Sequence, residues 1–316
     1  MANINDIAKL AGVSVSTVSR VLNHHPHVSN LKRVAVQSVI DELDYTPNRS
    51  AVHLIRKETK SIGVIMPYNN NQAFDQLLHG ILNRSVEHDY TVMVLPTKYN
   101  PDKELSYLNM LKNKHLDGII ITSRSNIWDA IIPYSKYGTI IACEYTAHSE
   151  IGCAYIDRFE SFVKTFQMLQ DKGHSRVAFT TARGNESNST QLTIKAYQQI
   201  FGDLPRDYHI NDCYSIDDGV RAAQDLLHLD FRPTAIYANG DEVATGIYQY
   251  ARSIQLRVPK DLAIIGQENQ PVGIGLRLST VDHQLVKLGE KAFDLAIEKS
   301  KAKVEIPYHI IVRQSI

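Results

Sequence analysis

The sequence has few cysteines, no long hydrophobic run and no net charge. Its 316 residues include three cysteines, Cys143, Cys153 and Cys213. An odd number without Cys-x-x-Cys spacing excludes a disulfide framework and a cysteine zinc site, and fits a thiol-reducing setting. The longest apolar stretches, such as 118–121 and 138–143, fall far short of the ~18 consecutive residues a membrane helix needs. No bilayer span is expected. The start, Met1-Ala2-Asn3-Ile4-Asn5-Asp6, has no basic stretch leading into an apolar core, so no secretory signal is expected and a cytoplasmic location is. Enzyme signatures are missing too. There is no Gly-x-Ser-x-Gly elbow and no phosphate-binding glycine loop, and Gly273-Ile274-Gly275-Leu276-Arg277-Leu278 lacks the third glycine of a dinucleotide fingerprint and reads as a loop. The run His24-His25-Pro26-His27 lacks nearby Cys or Glu ligands at helical spacing and reads as an interhelical loop rather than a metal site. No catalytic residue, cofactor or metal is expected.

What is present is a globular composition, 43% hydrophobic and 22% charged, with length for two or three folding units. The balance of 34 basic and 34 acidic side chains conceals an asymmetry. Residues 1–60 hold eight Lys and Arg against five Asp and Glu. The remainder carries 26 against 29. A modestly basic head on a slightly acidic body permits phosphate contact at one end.

The pattern of the head agrees. Ile4, Ile7, Ala8, Leu10 and Ala11 recur at helical spacing, with Asn3 or Asn5 available as a cap. Gly12-Val13-Ser14 forms a tight break, and Ser14 can cap a second helix with the stripe Val15, Val18, Val21 and Leu22. Its other face, Ser16, Thr17, Ser19, Arg20 and Asn23, is small and polar with one guanidinium. After the histidine-rich break, Ser29 can cap a third helix carrying Leu31, Val34, Ala35, Val39, Ile40 and Leu43. Two short helices joined by a glycine turn and buttressed by a third match a helix-turn-helix unit. Small residues at the start of the second helix can approach base edges, and an arginine one turn later can reach guanine or phosphate. A generic three-helix bundle would show the same periodicity.

From residue 61 onward strand-like runs alternate with helical patterns. Strands are expected at 62–66, 91–95, 118–121, 176–180, 234–238 and 262–265, with helices near 74–88, 102–114, 190–201 and 241–253. This alternation indicates parallel sheets flanked by helices, and the length is enough for two such units. Ligands bind these sheets at the carboxyl ends of the strands. Polar residues just after strands are therefore pocket candidates: Asn69, Asn71, Asp157, Arg183, Asn239, Asp241 and Glu268, with Phe74 to stack on a sugar face. Each is as much a candidate for a helix cap or a loop, and Asp241 for capping the helix after Gly240.

The run Asn5-Asp6-Ile7-Ala8-Lys9-Leu10-Ala11-Gly12-Val13-Ser14-Val15-Ser16-Thr17-Val18-Ser19-Arg20-Val21-Leu22-Asn23 closely resembles the headpiece signature of the LacI/GalR family of bacterial transcriptional regulators. The likeness continues through Val28-Ser29, Asp41 to Asn48, Asp117-Gly118-Ile119-Ile120, Gly173 to Phe179, Arg232 to Ile236, Val258 to Leu262 and Ile311 to Ser315, which is similar to the family's terminal strand. It covers essentially the whole chain. Features such as Asp102-Lys103-Glu104 and Ile194-Lys195-Ala196-Tyr197 resemble the branch containing catabolite control proteins.

The resemblance implies a small all-α helix-turn-helix headpiece followed by an α/β core of two subdomains, like a periplasmic binding protein. The headpiece would occupy 1–45, a hinge helix and linker 46–60, and the core 61–316, with its subdomain boundary near 158 and crossovers near 280–306. Val15, Ser16 and Arg20 take base-reading positions, and Thr17, Ser19 and Asn23 phosphate-holding ones. Asn5, Ser14, Ser29, Tyr45 and Ala51 also fall at DNA-contact positions. Leu54, in a hinge segment with Thr46 as cap and Pro47 at its first helical position, corresponds to a residue wedged into the minor groove. A homodimer on a pseudo-palindromic operator is implied, controlled by a sugar or related metabolite, or by phosphorylated HPr protein. The helices near 74–88 and 102–114 would supply dimer contacts. Two departures bear on the effector: the family's pocket arginine is replaced by Thr193, and its aspartate after the late-strand glycine by Glu268. A solute-binding protein of transport type would share the body but not the head, and a sugar-modifying enzyme is the third alternative.

Overall fold

The computed structural model describes residues 3–22, 25–45, 58–69, 71–184 and 187–316. The chain divides into two compact units, Met1–Thr59 and Lys60–Ile316.

Among the described residues the first unit holds three helices, α1 (Ile4–Leu10), α2 (Val15–Leu22) and α3 (Asn30–Glu42). Asn3 begins α1 with a reciprocal capping box: its side chain accepts from the Asn5 and Asp6 amides, and Asp6 reaches back to the Asn3 amide. Gly12 turns the chain at φ +65°, a left-handed conformation that glycine adopts without Cβ strain. Ser14 then opens α2, its Oγ accepting the Thr17 amide at 3.3 Å. The core is small: Ile7, Ala8, Val18, Val21, Val36 and Val39.

Three expectations for this unit are corrected. Val15, placed on the apolar stripe of α2, is 40% exposed. On α3 the buried residues are Val36 and Val39, whereas Leu31 (86% exposed) and Val34 face solvent. Burial follows Val36 and Val39 because they lie on the face of α3 turned toward Ile7 and Ala8 of α1 and Val18 and Val21 of α2. Ser29 occupies the position before α3 in extended backbone but makes no capping hydrogen bond.

The second unit contains two six-stranded sheets. The first takes β1 (Ser61–Met66), β2 (Thr91–Pro96), β3 (Gly118–Ile121), β4 (Thr139–Ala142), β5 (Gly152–Tyr155) and, from much later in the chain, β11 (Lys303–Glu305). Their order is β11-β5-β4-β3-β1-β2, and every neighbouring pair is parallel. The second takes β6 (Val177–Thr180), β7 (His209–Ile210), β8 (Ala235–Tyr237), β9 (Ala263–Gln267), β10 (Ser279–Asp282) and β12 (His309–Ile311), in the order β12-β10-β9-β8-β6-β7. Here β12 alone runs antiparallel, against β10.

Helices flank both sheets. Those of the first half are α4 (Gln72–Glu87), α5 (Pro101–Lys112) and the short α6 (Trp128–Ile131). The second half has α7 (Arg158–Asp171), α8 (Asn188–Phe201), α9 (Ile216–Leu227), α10 (Asp241–Ser253) and α11 (Pro271–Gly275). The last helix, α12 (Leu285–Ile297), packs on the first sheet, where Leu288, Ala292, Phe293 and Leu295 join Ile62, Val64, Ile120 and Ile141 in one core. The chain therefore crosses between halves three times: after β5, after β10 and after β11. Strands such as β3 and β6 are buried along their whole length, as parallel strands covered on both faces must be.

Two local expectations differ from what is found. Residues 273–278, read as a loop, begin inside α11, where Gly273 packs against the Asp241 carboxylate. The terminal strand lies at 309–311, earlier than the 311–315 segment, and Ser315 instead accepts the Ile264 amide and anchors Ser279. Among the described residues no helix is long and apolar enough to cross a membrane.

Candidate functional site

The head presents one polar face. With Val18 and Val21 buried in the core, α2 turns Val15, Ser16 and Arg20 outward, and leaves Thr17 and Ser19 half-buried. Ser14, Ser16 and Thr17 link their hydroxyls at 2.9 Å, fixing the first turn of the helix. Asn5 and Ser29 are exposed, and Tyr45 is half-buried against the three-helix core. The Arg33 guanidinium ties the loop between α2 and α3 by donating to the His25 carbonyl at 2.9 Å. An outward row of small residues and one guanidinium on a helix held by its opposite face is suited to contact with base edges and phosphates. Asn23, Ala51 and Leu54, with residues 46–57 of the expected hinge segment, lie outside the described residues.

In the core, the carboxyl ends of both sheets enclose a cavity of about 640 Å³. Residues following strands line it from each half: Tyr68, Tyr99, Ser123, Glu144 and Asp157 from the first sheet, and Thr181, Arg183, Asn239 and Glu268 from the second. This is the crevice that parallel-sheet topology provides, because strand ends and helix starts alternate there.

Of the expected pocket residues, Asn71, Phe74, Asp157, Arg183, Thr193, Asn239 and Glu268 all line the cavity. Several also do local work. Asn71 caps α4, accepting from the Ala73 and Phe74 amides, and Asp157 caps α7, accepting from Glu160 at 2.9 Å. Thr193 donates to the Ser189 carbonyl within its own helix. Asn239 accepts from the Thr180 hydroxyl at 2.6 Å and donates to the Cys213 carbonyl. Phe74 meets Tyr68 edge to face, and Tyr68 meets Tyr99 likewise, each at 5.8 Å. Arg183, from the second half, lies over the Tyr99 ring of the first at 4.2 Å. That contact and the Gln76 amide donating to the Glu268 carbonyl at 3.1 Å span the two halves.

Asn69 and Asp241 are the exceptions: Asn69 is exposed just after β1 and does not line the cavity, and Asp241 is withdrawn from it. Asp241 is fully buried and does not line the cavity. Nor does it cap α10, whose N-terminal cap position is Gly240. Its carboxylate accepts from the Gln270 amide and the Thr280 hydroxyl, joining α10, the loop after β9, and β10. A Cβ at Gly266 or Gly273 would fall inside contact distance of that carboxylate, so the two glycines leave it room. Burial pushes the Asp241 carboxyl up to about 7.

Glu268 sits at φ +79° after β9 and is 5% exposed. Its Oε1 meets the Arg158 guanidinium at 3.4 Å and His283 Nδ1 at 3.0 Å, and His283 Nε2 meets the Ser161 hydroxyl. Burial pushes this carboxyl up, but His283 and Arg158 outweigh it and hold it below the usual range. Its second oxygen, Oε2, is buried without a hydrogen-bond partner. The sequence reading missed Arg158, His283 and the tyrosines. The available signal was position: Arg158 follows Asp157, and His283 and Tyr68 each come just after a strand. The thiols in the wall, Cys143 and Cys213, are kept protonated by burial, Cys213 being pushed up to about 12. They lack the lowered pKa of a nucleophile.

Comparison with known proteins identifies both units. Residues 3–48 match the family model described as bacterial regulatory proteins, lacI family, and residues 59–312 match periplasmic binding proteins and sugar binding domain of LacI family. The chain is 44% identical to catabolite control protein B of Bacillus subtilis over 309 residues, covering 98% of each chain. It is 32% identical to catabolite control protein A of Priestia megaterium over 326 residues, covering 99% of this chain and 98% of that one. In fold it is similar to the lac repressor dimer bound to operator and the anti-inducer ONPF, with a TM-score of 0.84 at 22% identity, covering 99% of this chain and 98% of that one. A helix with an outward polar face in the head, a ligand-sized cleft in the core and matches across both units lead to one conclusion: the chain belongs to the lacI family of bacterial regulatory proteins and is a DNA-binding transcriptional regulator, not an enzyme.

Proposed function

We propose that the protein is a cytoplasmic repressor of carbohydrate-related genes that binds a pseudo-palindromic operator as a homodimer. Each head lays α2 in the major groove, with Val15, Ser16 and Arg20 toward bases, and Thr17, Ser19 and Asn23 toward phosphates. Asn5, Ser14, Ser29, Tyr45 and Ala51 add contacts, and Leu54 enters the minor groove at the operator centre. The helices α4 and α5 supply part of the dimer interface. The observation that carries this reading is the outward polar face of α2 on a head whose residues 3–48 match the family model.

The cleft is the control site. A ligand that binds one arrangement of the two α/β halves more tightly shifts the balance between states of different operator affinity. Selection of bound fragments from genomic DNA tests the whole proposal. Enrichment of a pseudo-palindrome is expected, and sequence-independent recovery would refute it. A Leu54→Ala variant that bends and binds the operator like the unsubstituted protein would remove the minor-groove assignment.

Similarity to two catabolite control proteins supports a second mode of control, docking of phosphorylated HPr outside the cleft. Calorimetry with phosphorylated and unphosphorylated HPr separates the modes. Heat released only with the phosphorylated form favours the protein partner.

A further inference from the structure

The two α/β halves of the core touch at a point of high leverage. The chain crosses between them after β5, β10 and β11. Those strands gather on one side: β11 and β5 form one edge of the first sheet, and β12 and β10 one edge of the second. The pivot for any movement of one half against the other is therefore on that side. At the opposite side the first sheet ends in β2 and the second in β6 and β7. Tyr99 follows β2 and Arg183 follows β6, and the Arg183 guanidinium lies over the Tyr99 ring, 4.2 Å from its centre. A contact so far from the pivot must break as soon as the halves swing apart. The other bond between the halves, from Gln76 to the Glu268 carbonyl, sits further in, since α4 follows β1 and Glu268 follows β9.

Both partners are fixed from behind. Lys98 and Tyr99 take left-handed backbone, at φ +51° and +56°. That conformation is uncommon for side chains of this bulk and persists where surrounding contacts over-determine it. Here those contacts are present: the Tyr99 amide donates to the Thr97 hydroxyl at 3.2 Å, its own hydroxyl pairs with Ser123 at 3.2 Å, and its ring meets Tyr68 edge to face. Across the cleft, the Arg183 carbonyl accepts from the hydroxyls of Thr181, just after β6, and Thr190, on α8, at 3.2 and 2.7 Å. Both side chains are half-buried, and partial removal from water strengthens the attraction of a guanidinium for a ring face.

We propose that Arg183 and Tyr99 form a clasp at the mouth of the core that holds the two halves together, so that the chain's own side chains set the balance between clasped and swung-apart arrangements. The consequence for DNA rests on the cleft being the control site; the consequence for the halves does not. A cation–π pair of this kind shifts such a balance by between about two- and thirtyfold.

Distances between nitroxide labels on the full chain test the clasp. In a Cys143→Ser background, which removes the one native thiol that is not buried, Ser106→Cys and Asp225→Cys put exposed labels on α5 and α9, the helices that follow β2 and β7. Diluting labelled protein into excess unlabelled protein restricts the reading to distances within one chain. With the clasp intact, one short separation is expected. Arg183→Gln and Tyr99→Leu should each raise the ratio of long to short separations by the factor above. Tyr99→Phe, which keeps the ring face, should not, and the double variant should do no more than the larger single one. Unchanged separations in both single variants, or effects that simply add in the double variant, overturn the proposal. The two substitutions lie in different halves, so if melting shows one variant to be unfolded the other still decides. Operator affinity of the same variants, on the pseudo-palindrome recovered by selection, then tests the control-site reading separately. Separations that lengthen while affinity stays constant leave the clasp standing and remove the cleft as the control site.

Discussion

Among single residues, Asp241 and Glu268 show how one residue type pattern yields two different parts. Both were expected in the pocket because both follow strands of the second half. Glu268 is there; Asp241 is a buried joint, and what separates them is the space left by Gly266 and Gly273, which a linear reading cannot see. Asp241 carries a linked pH effect. Its folded-state carboxyl is raised to about 7, above the ordinary value near 3.8 that it regains on unfolding. The folded state thus holds a proton that the unfolded chain has released. Stability from this group is fully present below about pH 4 and lost as pH rises through about 7. An Asp241→Asn variant stays neutral throughout, so the difference in unfolding free energy between it and the unsubstituted protein should change across that window. Denaturant unfolding at a series of pH values measures this, and a difference constant from about pH 4 to 7.5 would contradict it. Asp241→Ala leaves the buried Gln270 amide without an acceptor and frees Thr280, and should cost about 2 kcal/mol at neutral pH.

At the scale of elements, α2 has one face that holds it in the core and another that is free for the proposed contact with bases. Val18 is fully buried in the head, while Arg20, two residues on, is exposed. Val18→Ala should destabilise the head by roughly 2 kcal/mol, seen in its melting, and weaken all DNA binding together. Arg20→Ala should leave melting unchanged and cost about 1–3 kcal/mol of operator affinity. If Arg20→Ala instead weakened operator and random DNA equally in a competition assay, its assignment to bases would fail and a phosphate contact would replace it. The same contrast explains which elements were legible in the sequence. Long amphipathic or strand-like segments, such as α4, α10, β1 and β3, stand within a few residues of where periodicity placed them. Errors gathered where burial depends on partners distant in sequence. Leu31 and Val34 look apolar on a helical wheel, yet among the described residues no element covers them. Residues 273–278 look like a loop, yet α11 forms because Gly273 seats against Asp241. The linkage of Arg158, His283 and Ser161 to Glu268 joins residues up to 122 positions apart, and no local pattern encodes that.

For the whole molecule, the division into two compact units has a direct consequence. The core has its own sheets and hydrophobic clusters, so residues 60–316 alone should fold and bind the cleft ligand as the full chain does, while losing operator binding. Circular dichroism and calorimetry on that fragment check it, and a fragment that fails to fold would show that the head contributes to the core. Charge is divided in the same way. A sequence with 34 basic and 34 acidic groups appears indifferent to nucleic acid, but its first 60 residues hold eight basic against five acidic side chains. Two heads on one duplex double that excess, and each phosphate they neutralise releases condensed counterion. Log affinity should then fall linearly with log salt, by about 0.9 for each phosphate contacted. With several contacts per head, operator affinity measured by fluorescence anisotropy should drop by two or more orders of magnitude between roughly 50 and 200 mM salt. Arg20→Ala separates the components further. If Arg20 reads a base, the variant binds more weakly at every salt concentration with the slope unchanged, whereas a phosphate contact would lower the slope by about one.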